Sequence, residues 1–163
     1  MNAEKVVKWV KDGLGFDDMQ RLLNKLAEKI KAFHTLTPAE IGELLANAEK
    51  CTFDTGTTIL KEGSSGGYMY IIFEGEAIVT KKGKAGDIEL NRLYATDSFG
   101  EMALADRGFR SASVRALKPC VLVRLNEAVL SAKPQIALKF YRNMARVLSE
   151  RLRSGNEMLA WRL

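Results

Sequence analysis

Histidine is nearly absent from this 163-residue chain: His34 is the only one. A metal catalyst inside a β-barrel scaffold holds its ion with several histidines, so a cupin-type metalloenzyme is excluded and no metal ligand set is expected. His34 itself falls at an expected helix end, where it reads as a surface or capping residue. The two cysteines, Cys51 and Cys120, are too few for a disulfide framework at this length. Both stand in apolar, strand-like surroundings, which predicts reduced, buried thiols. The chain has no Cys-x-x-Cys, no nucleophile elbow and no convincing acid pair, which leaves redox and covalent hydrolase chemistry without a seat. Gly-x-x-x-x-Gly-Lys-Ser/Thr is missing as well. The glycines Gly63, Gly66 and Gly67 lead into a strand pattern instead of a helix, so nucleotide hydrolysis at a P-loop is not expected. Residues 1–12 are charged throughout and carry no long apolar core. Neither a signal peptide nor a membrane span is read there, and the expectation is a cytoplasmic protein.

What is present is ordinary in amount and uneven in distribution. A hydrophobic fraction of 47% and a charged fraction of 28% suit one soluble globular domain with a core of its own. The net charge is +5, yet from Met102 onward there are twelve Lys/Arg against four Asp/Glu, while residues 1–101 carry thirteen against sixteen. The basic excess has no interleaved aromatics and no reading helix of a nucleic-acid binder, so it is read as a solvated helix face plus an anion site.

Residues 3–12 suit a short amphipathic helix ended by Gly13 and Gly15. A second helix begins near Asp17 or Asp18, with Met19, Leu22, Leu23, Leu26, Ile30 and Phe33 on one apolar face. That face packs on the chain's own fold or meets a partner. A third helix has Thr37 as N-cap, Pro38 at its first position, Glu40 completing a capping box, and Leu36 with Ile41 as a hydrophobic staple. From Cys51 the pattern becomes short runs. Thr57–Lys61, Tyr68–Phe73, Ala77–Lys82, Ile88–Leu93, Ala112–Leu117 and Val121–Leu125 are strand candidates between Gly, Asp, Asn and Pro turns, which suggests an antiparallel roll or jelly roll. After Lys133-Pro134 the helical period returns, with Ile136, Phe140, Met144, Val147, Leu148 and Leu152 on one side and Lys139, Arg142, Arg146 and Arg153 on another. Gly155 weakens this helix without having to end it.

The most telling stretch runs from Phe99 to Ala116: Phe-Gly-Glu-Met-Ala-Leu-Ala-Asp-Arg-Gly-Phe-Arg-Ser-Ala-Ser-Val-Arg-Ala. Gly100 permits a tight turn, and Glu101, Met102 and Ala103 open a short helix whose free N–H groups attract an anion. Arg110 follows nine residues after Glu101, close enough to fold back over the turn, and its guanidinium can donate two parallel hydrogen bonds to a phosphate. Ser111 and Ala112 are small, so their backbone N–H groups can also approach. A lone structural ion pair between Glu101 and Arg110 would not require this company of glycine and small residues.

This segment resembles the phosphate-binding cassette of the cyclic-nucleotide-binding domain family, found in regulatory subunits of cAMP-dependent protein kinase, cyclic-nucleotide-gated channels and the bacterial catabolite activator protein. Lys61-Glu-Gly-Ser-Ser-Gly-Gly-Tyr-Met-Tyr-Ile-Ile-Phe-Glu-Gly-Glu is similar to the family's glycine-punctuated turn, its Tyr-Ile-Ile strand and its next Gly-Glu turn. The resemblance covers roughly residues 33–153. Two positions depart from it: Gly67 stands where the family usually has aspartate, and Thr96 where a turn glycine usually precedes Phe-Gly-Glu.

The resemblance implies an α+β fold: an antiparallel β-roll over about 51–125, N-terminal helices, a short phosphate-cassette helix and a C-terminal lid helix over about 135–160. Residues 1–32 are set apart as an N-terminal helical segment and 33–163 as the nucleotide-binding domain. It also implies that Arg110 pairs with a cyclic phosphate and Glu101 accepts a hydrogen bond from the ribose 2′-hydroxyl. Val79 and Leu90 fall on the strands of the family's base pocket, and Leu148, Arg151 and Leu152 on the helix that closes over the base. Ser111 has the hydroxyl that some members use to bond a guanine amino group or the phosphate, so the expected ligand is cAMP or cGMP, bound without further cofactor and without chemistry. A protein effector or a homodimer contact at the N- or C-terminal helices is the expected readout. The alternatives are an interaction module with a vestigial pocket, and the sensor part of a transcription regulator without its DNA-binding domain. Sequence-specific DNA binding by this chain and membrane association are not expected.

Overall fold

The helix expected near Asp17 or Asp18 runs over Phe16–Lys29 (α1) in the computed structural model, which describes residues 16–102 and 108–160. The earlier helix, expected over 3–12, lies outside the described residues. Leu22, Leu23 and Leu26 of α1 are buried, as are Ile30 and Phe33, which a 3-10 turn at Lys31–Phe33 carries on the same side. The apolar stripe therefore packs on its own chain. Each such side chain contributes about 1.5–3 kcal/mol when fully buried. Helix α2 (Pro38–Ala46) starts as its sequence dictates: the Thr37 side chain accepts from Glu40 N–H, the Glu40 carboxylate accepts from Thr37 N–H, and Pro38 occupies the first turn.

Among the described residues eight strands follow: β1 (Glu49–Phe53), β2 (Thr58–Leu60), β3 (Tyr68–Glu74), β4 (Glu76–Gly83), β5 (Gly86–Tyr94), β6 (Ser98–Phe99), β7 (Ser113–Ala116) and β8 (Cys120–Asn126). They form two four-stranded antiparallel sheets, ordered β1-β8-β3-β6 and β2-β7-β4-β5. The expected roll is present. Strand β1 begins before Cys51, and β6 is a two-residue strand that the sequence pattern did not signal. Helix α3 (Glu127–Ser131), capped by the Asn126 side chain, also went unread. Helix α4 (Pro134–Ala160) is continuous through Gly155.

Alternation along β3 divides the interior in two. Met69 and Ile71 face the helices with Phe33, Leu45 and Phe140, whereas Tyr70 and Ile72 face the roll interior with Leu60, Leu93 and Phe99. Strand β8 repeats the device, sending Val123 and Leu125 to the helical side and Cys120 and Leu122 to the roll side. The residues of α1 share their core with α2, α4, β3 and β8. Cys120 is buried as expected. Cys51 is a correction: it is half-buried, on β1 at the edge of its sheet, and both thiols are free. Among the described residues no helix is long and apolar enough to cross a membrane.

Candidate functional site

The turn between β2 and β3 is zipped to the chain entering β7. Gly63 N–H donates to Arg110 O at 2.9 Å, Arg110 N–H donates to Ser64 O at 2.8 Å, and Ser65 bridges Phe109. This ladder fixes the Arg110 backbone and turns its side chain inward, where the residue is only 5% exposed. There Nη1 donates to Gly100 O at 2.8 Å and Nη2 to Tyr68 O at 2.7 Å. Two glycines make this possible. A Cβ on Gly66 would stand 2.8 Å from Arg110 Nη2 and 3.2 Å from Nε, and one on Gly100 would stand 2.9 Å from Nη1. Gly100 also holds φ +80, which favours glycine.

Burial pulls the Arg110 guanidinium below its ordinary pKa, while Tyr70 and Glu101 push it back up. The group stays charged, as arginine does in proteins. Both of its described hydrogen-bond partners are carbonyl dipoles, which orient the cation without neutralising it. The guanidinium carries three N–H groups beyond those two, and an anion is the partner their charge favours.

Glu101 follows the Gly100 turn and is 6% exposed. Its Oε1 accepts from Arg151 Nη1 of α4 at 2.6 Å, and the same guanidinium donates through Nη2 to Ser98 O. The Glu101 carboxylate is thus tied to α4. Ser111 is exposed, and its hydroxyl donates to Met102 Sδ at 3.7 Å. Glu101 and Met102 are helical. The rest of the expected cassette helix, including Ala103, lies outside the described residues.

These groups surround a cavity of about 780 Å³, within the range of about 300–1,000 Å³ that small-molecule sites occupy. Of the residues singled out from sequence, Gly100, Glu101, Met102, Arg110, Ser111 and Ala112 line one side. Val79 and Leu90 line the β4–β5 wall, and Leu148, Arg151 and Leu152 line the α4 wall. Every one of them that falls within the described residues therefore meets the others at one place. Leu90 reaches the cavity through a bulge: Val79 pairs with Asn91 and Thr80 with Glu89, so Leu90 is the extra residue and lines the cavity together with its neighbour Asn91. Leu152 is 67% exposed, so it stands at the rim and not on the buried stripe with Ile136, Phe140 and Met144.

Sequence reasoning missed Lys31, Asn91, Asp97, Glu150 and Ser154 as lining residues. Lys31 and Glu150 pair at 2.6 Å across the cavity's edge, which holds the Glu150 carboxyl below the usual range. No motif announces them; only their proximity to Arg151 or to the 3-10 turn could have done so. Among the described residues no group of three or more His, Cys, Asp and Glu is placed to hold a metal ion. The wall chemistry suits a ligand with one anionic group, hydroxyls, and a flat moiety lying between aliphatic side chains.

Residues 50–133 match the sequence model of the cyclic nucleotide-binding domain. A CRP-like cAMP-activated global transcriptional regulator of Mycobacterium tuberculosis is 26% identical over 143 residues, 85% of this chain and 62% of that protein. A cAMP-dependent protein kinase regulatory subunit of Mycosarcoma maydis is 29% identical over 112 residues, 69% of this chain and 21% of the subunit. The crystal structure of the Thermus thermophilus catabolite activator protein superposes with a TM-score of 0.73 at 28% identity, covering 80% of this chain and 62% of the other. The chain thus spans about three fifths of these two bacterial relatives and about a fifth of the kinase subunit.

Proposed function

This chain belongs to the cyclic nucleotide-binding domain family, and on that premise we propose that its cavity is a regulatory site for a cyclic mononucleotide, cAMP or cGMP, whose occupancy is read out through α4. The observation that carries this reading is the Arg110 guanidinium, buried, charged, and oriented by two carbonyls on the wall of the cavity. A cyclic phosphate has one negative charge and needs no metal. Arg110 and the N–H groups around Ser111 and Ala112 take the phosphate, Gly100 and the helix start at Glu101 and Met102 shape the turn beside it, and Glu101 accepts from the ribose 2′-hydroxyl. Val79, Leu90, Leu148 and Leu152 sandwich the base. No bond is made or broken, so the domain acts by binding alone.

Signalling follows if the state with α4 closed binds nucleotide more tightly than the open one, because a ligand shifts only equilibria in which its affinities differ. The Arg151–Glu101 pair supports this link, since the ribose carboxylate and the lid already share a bond. A protein effector or a second copy at the N- or C-terminal helices receives the change; sequence-specific DNA binding is not part of this reading. Replacing Arg110 with alanine leaves a buried phosphate unpaired and is expected to cost roughly 2–5 kcal/mol, about thirty-fold to several thousand-fold in Kd. Titration of Arg110→Ala beside the parent checks this. Equal affinity in the two proteins refutes the site.

A further inference from the structure

Lys81 on β4 does not line the cavity, yet it touches the loop that does. Its Nζ donates to Ser111 O at 2.7 Å and stands 3.3 Å from Glu62 Oε1. Glu62 is itself held on two sides: its N–H donates to Ser113 Oγ at 3.0 Å, and its Oε2 accepts from Lys82 N–H at 2.9 Å. That backbone hydrogen bond, with Lys81 and Lys82 nearby, keeps the Glu62 carboxyl below its usual range. Glu62 belongs to the same turn whose Gly63 N–H and Ser64 O clasp the Arg110 backbone. One ammonium therefore joins β4, the β2–β3 turn and the Arg110–Ala112 loop.

The geometry of the peptide unit gives this contact a consequence. A trans peptide is planar, with its C=O and the next residue's N–H pointing in opposite directions. Pulling Ser111 O toward Lys81 turns Ala112 N–H to the other side, and Ala112 is a wall residue of the cavity where Lys81 is not. We propose that Lys81 is a positioning residue of the anion site, aiming Ala112 N–H at the ligand phosphate and placing a second cation one peptide behind it. This rests on the cyclic-nucleotide reading above.

Lys81→Met keeps the stem and removes the ammonium; Lys81→Arg restores a cationic donor. For whichever cyclic mononucleotide the parent binds, Lys81→Met is expected to raise Kd about 3- to 10-fold, with Lys81→Arg within about twofold of the parent. Thermal stability should change little, because exposed ion pairs contribute little to folding. The distinguishing readout is the ligand-induced amide proton shift of Ala112 by NMR, which should shrink in Lys81→Met and recover in Lys81→Arg. Parent affinity and an undiminished Ala112 shift in Lys81→Met, with binding lost in Arg110→Ala, overturn the role of Lys81 alone. A folded parent silent to both nucleotides, or an unaffected Arg110→Ala, overturns the underlying reading and this inference with it.

Discussion

Arg110 is the residue on which the site turns, and its environment is set by what its neighbours lack. Gly66 has no Cβ, which is what lets the guanidinium lie between Tyr68 O and Gly100 O. Gly66→Ala is tolerable to the backbone, since Gly66 is not among the positive-φ glycines, but its methyl would force the guanidinium off its carbonyls. Nucleotide affinity is expected to fall about tenfold or more, with an unchanged far-UV circular dichroism spectrum; parent affinity would show that the fork has no need of that space. Thr96 is a different kind of residue effect. The sequence marked it as standing where the family places a turn glycine, and it holds φ 84, strained for a β-branched side chain. Thr96→Gly relieves roughly 1–2 kcal/mol of strain and returns part of it as unfolded-chain entropy. A net gain of about 1 kcal/mol corresponds to a melting temperature about 2–4 °C higher, readable by calorimetry. The place of Glu101 and Arg110 on the cavity wall was legible because glycine and small residues stand at fixed offsets around them. Lys31, Asn91 and Asp97 were not, because their place on the cavity wall comes from tertiary packing and has no local pattern.

Helix α4 shows the same division at the scale of an element. Its existence and its buried side were readable from the spacing of Ile136, Phe140, Met144 and Val147, all buried. Its attachments were not readable, because they are polar and reach backbone and side chains distant in sequence: buried Asn143 donates to Ala32 O at 3.0 Å and its Oδ1 accepts from Thr35 Oγ1 at 3.0 Å, and Arg151 donates to Ser98 O and Glu101. The N-terminal half of α4 is thereby tied into the helical core, while the part near Arg151 rests on the cavity. Ligand binding is expected to raise amide hydrogen-exchange protection in the segment 147–155 while leaving 136–144 nearly unchanged. Equal protection of 147–155 with and without ligand would count against α4 as the moving part. Among the strands, β3 and β8 betrayed themselves through apolar runs that serve two cores at once. Two-residue β6 and five-residue α3 are too short for periodicity to register.

On the scale of the whole molecule, the cavity lies where the two cores meet. Leu60, Leu93, Phe99 and Val114 reach it from the roll interior, and Val147 reaches it from the helical core. A ligand seated there contacts both bodies and can bias how one rests on the other. The charges lining the cavity are mixed, with Lys31, Arg110 and Arg151 beside Asp97, Glu101 and Glu150. The basic excess of the C-terminal third therefore lies largely elsewhere, as on the exposed Arg142, Arg146 and Arg153 of α4. Fold class was readable because turns, strand spacing and the two flanking helical patterns agree with one another. The measurement that bears most directly on the account is isothermal titration of the protein, stripped of co-purified nucleotide by unfolding and refolding, with cAMP and cGMP in parallel. Micromolar or tighter binding of at least one, at one site per chain, is the expected result; no heat with either from demonstrably folded protein would contradict it.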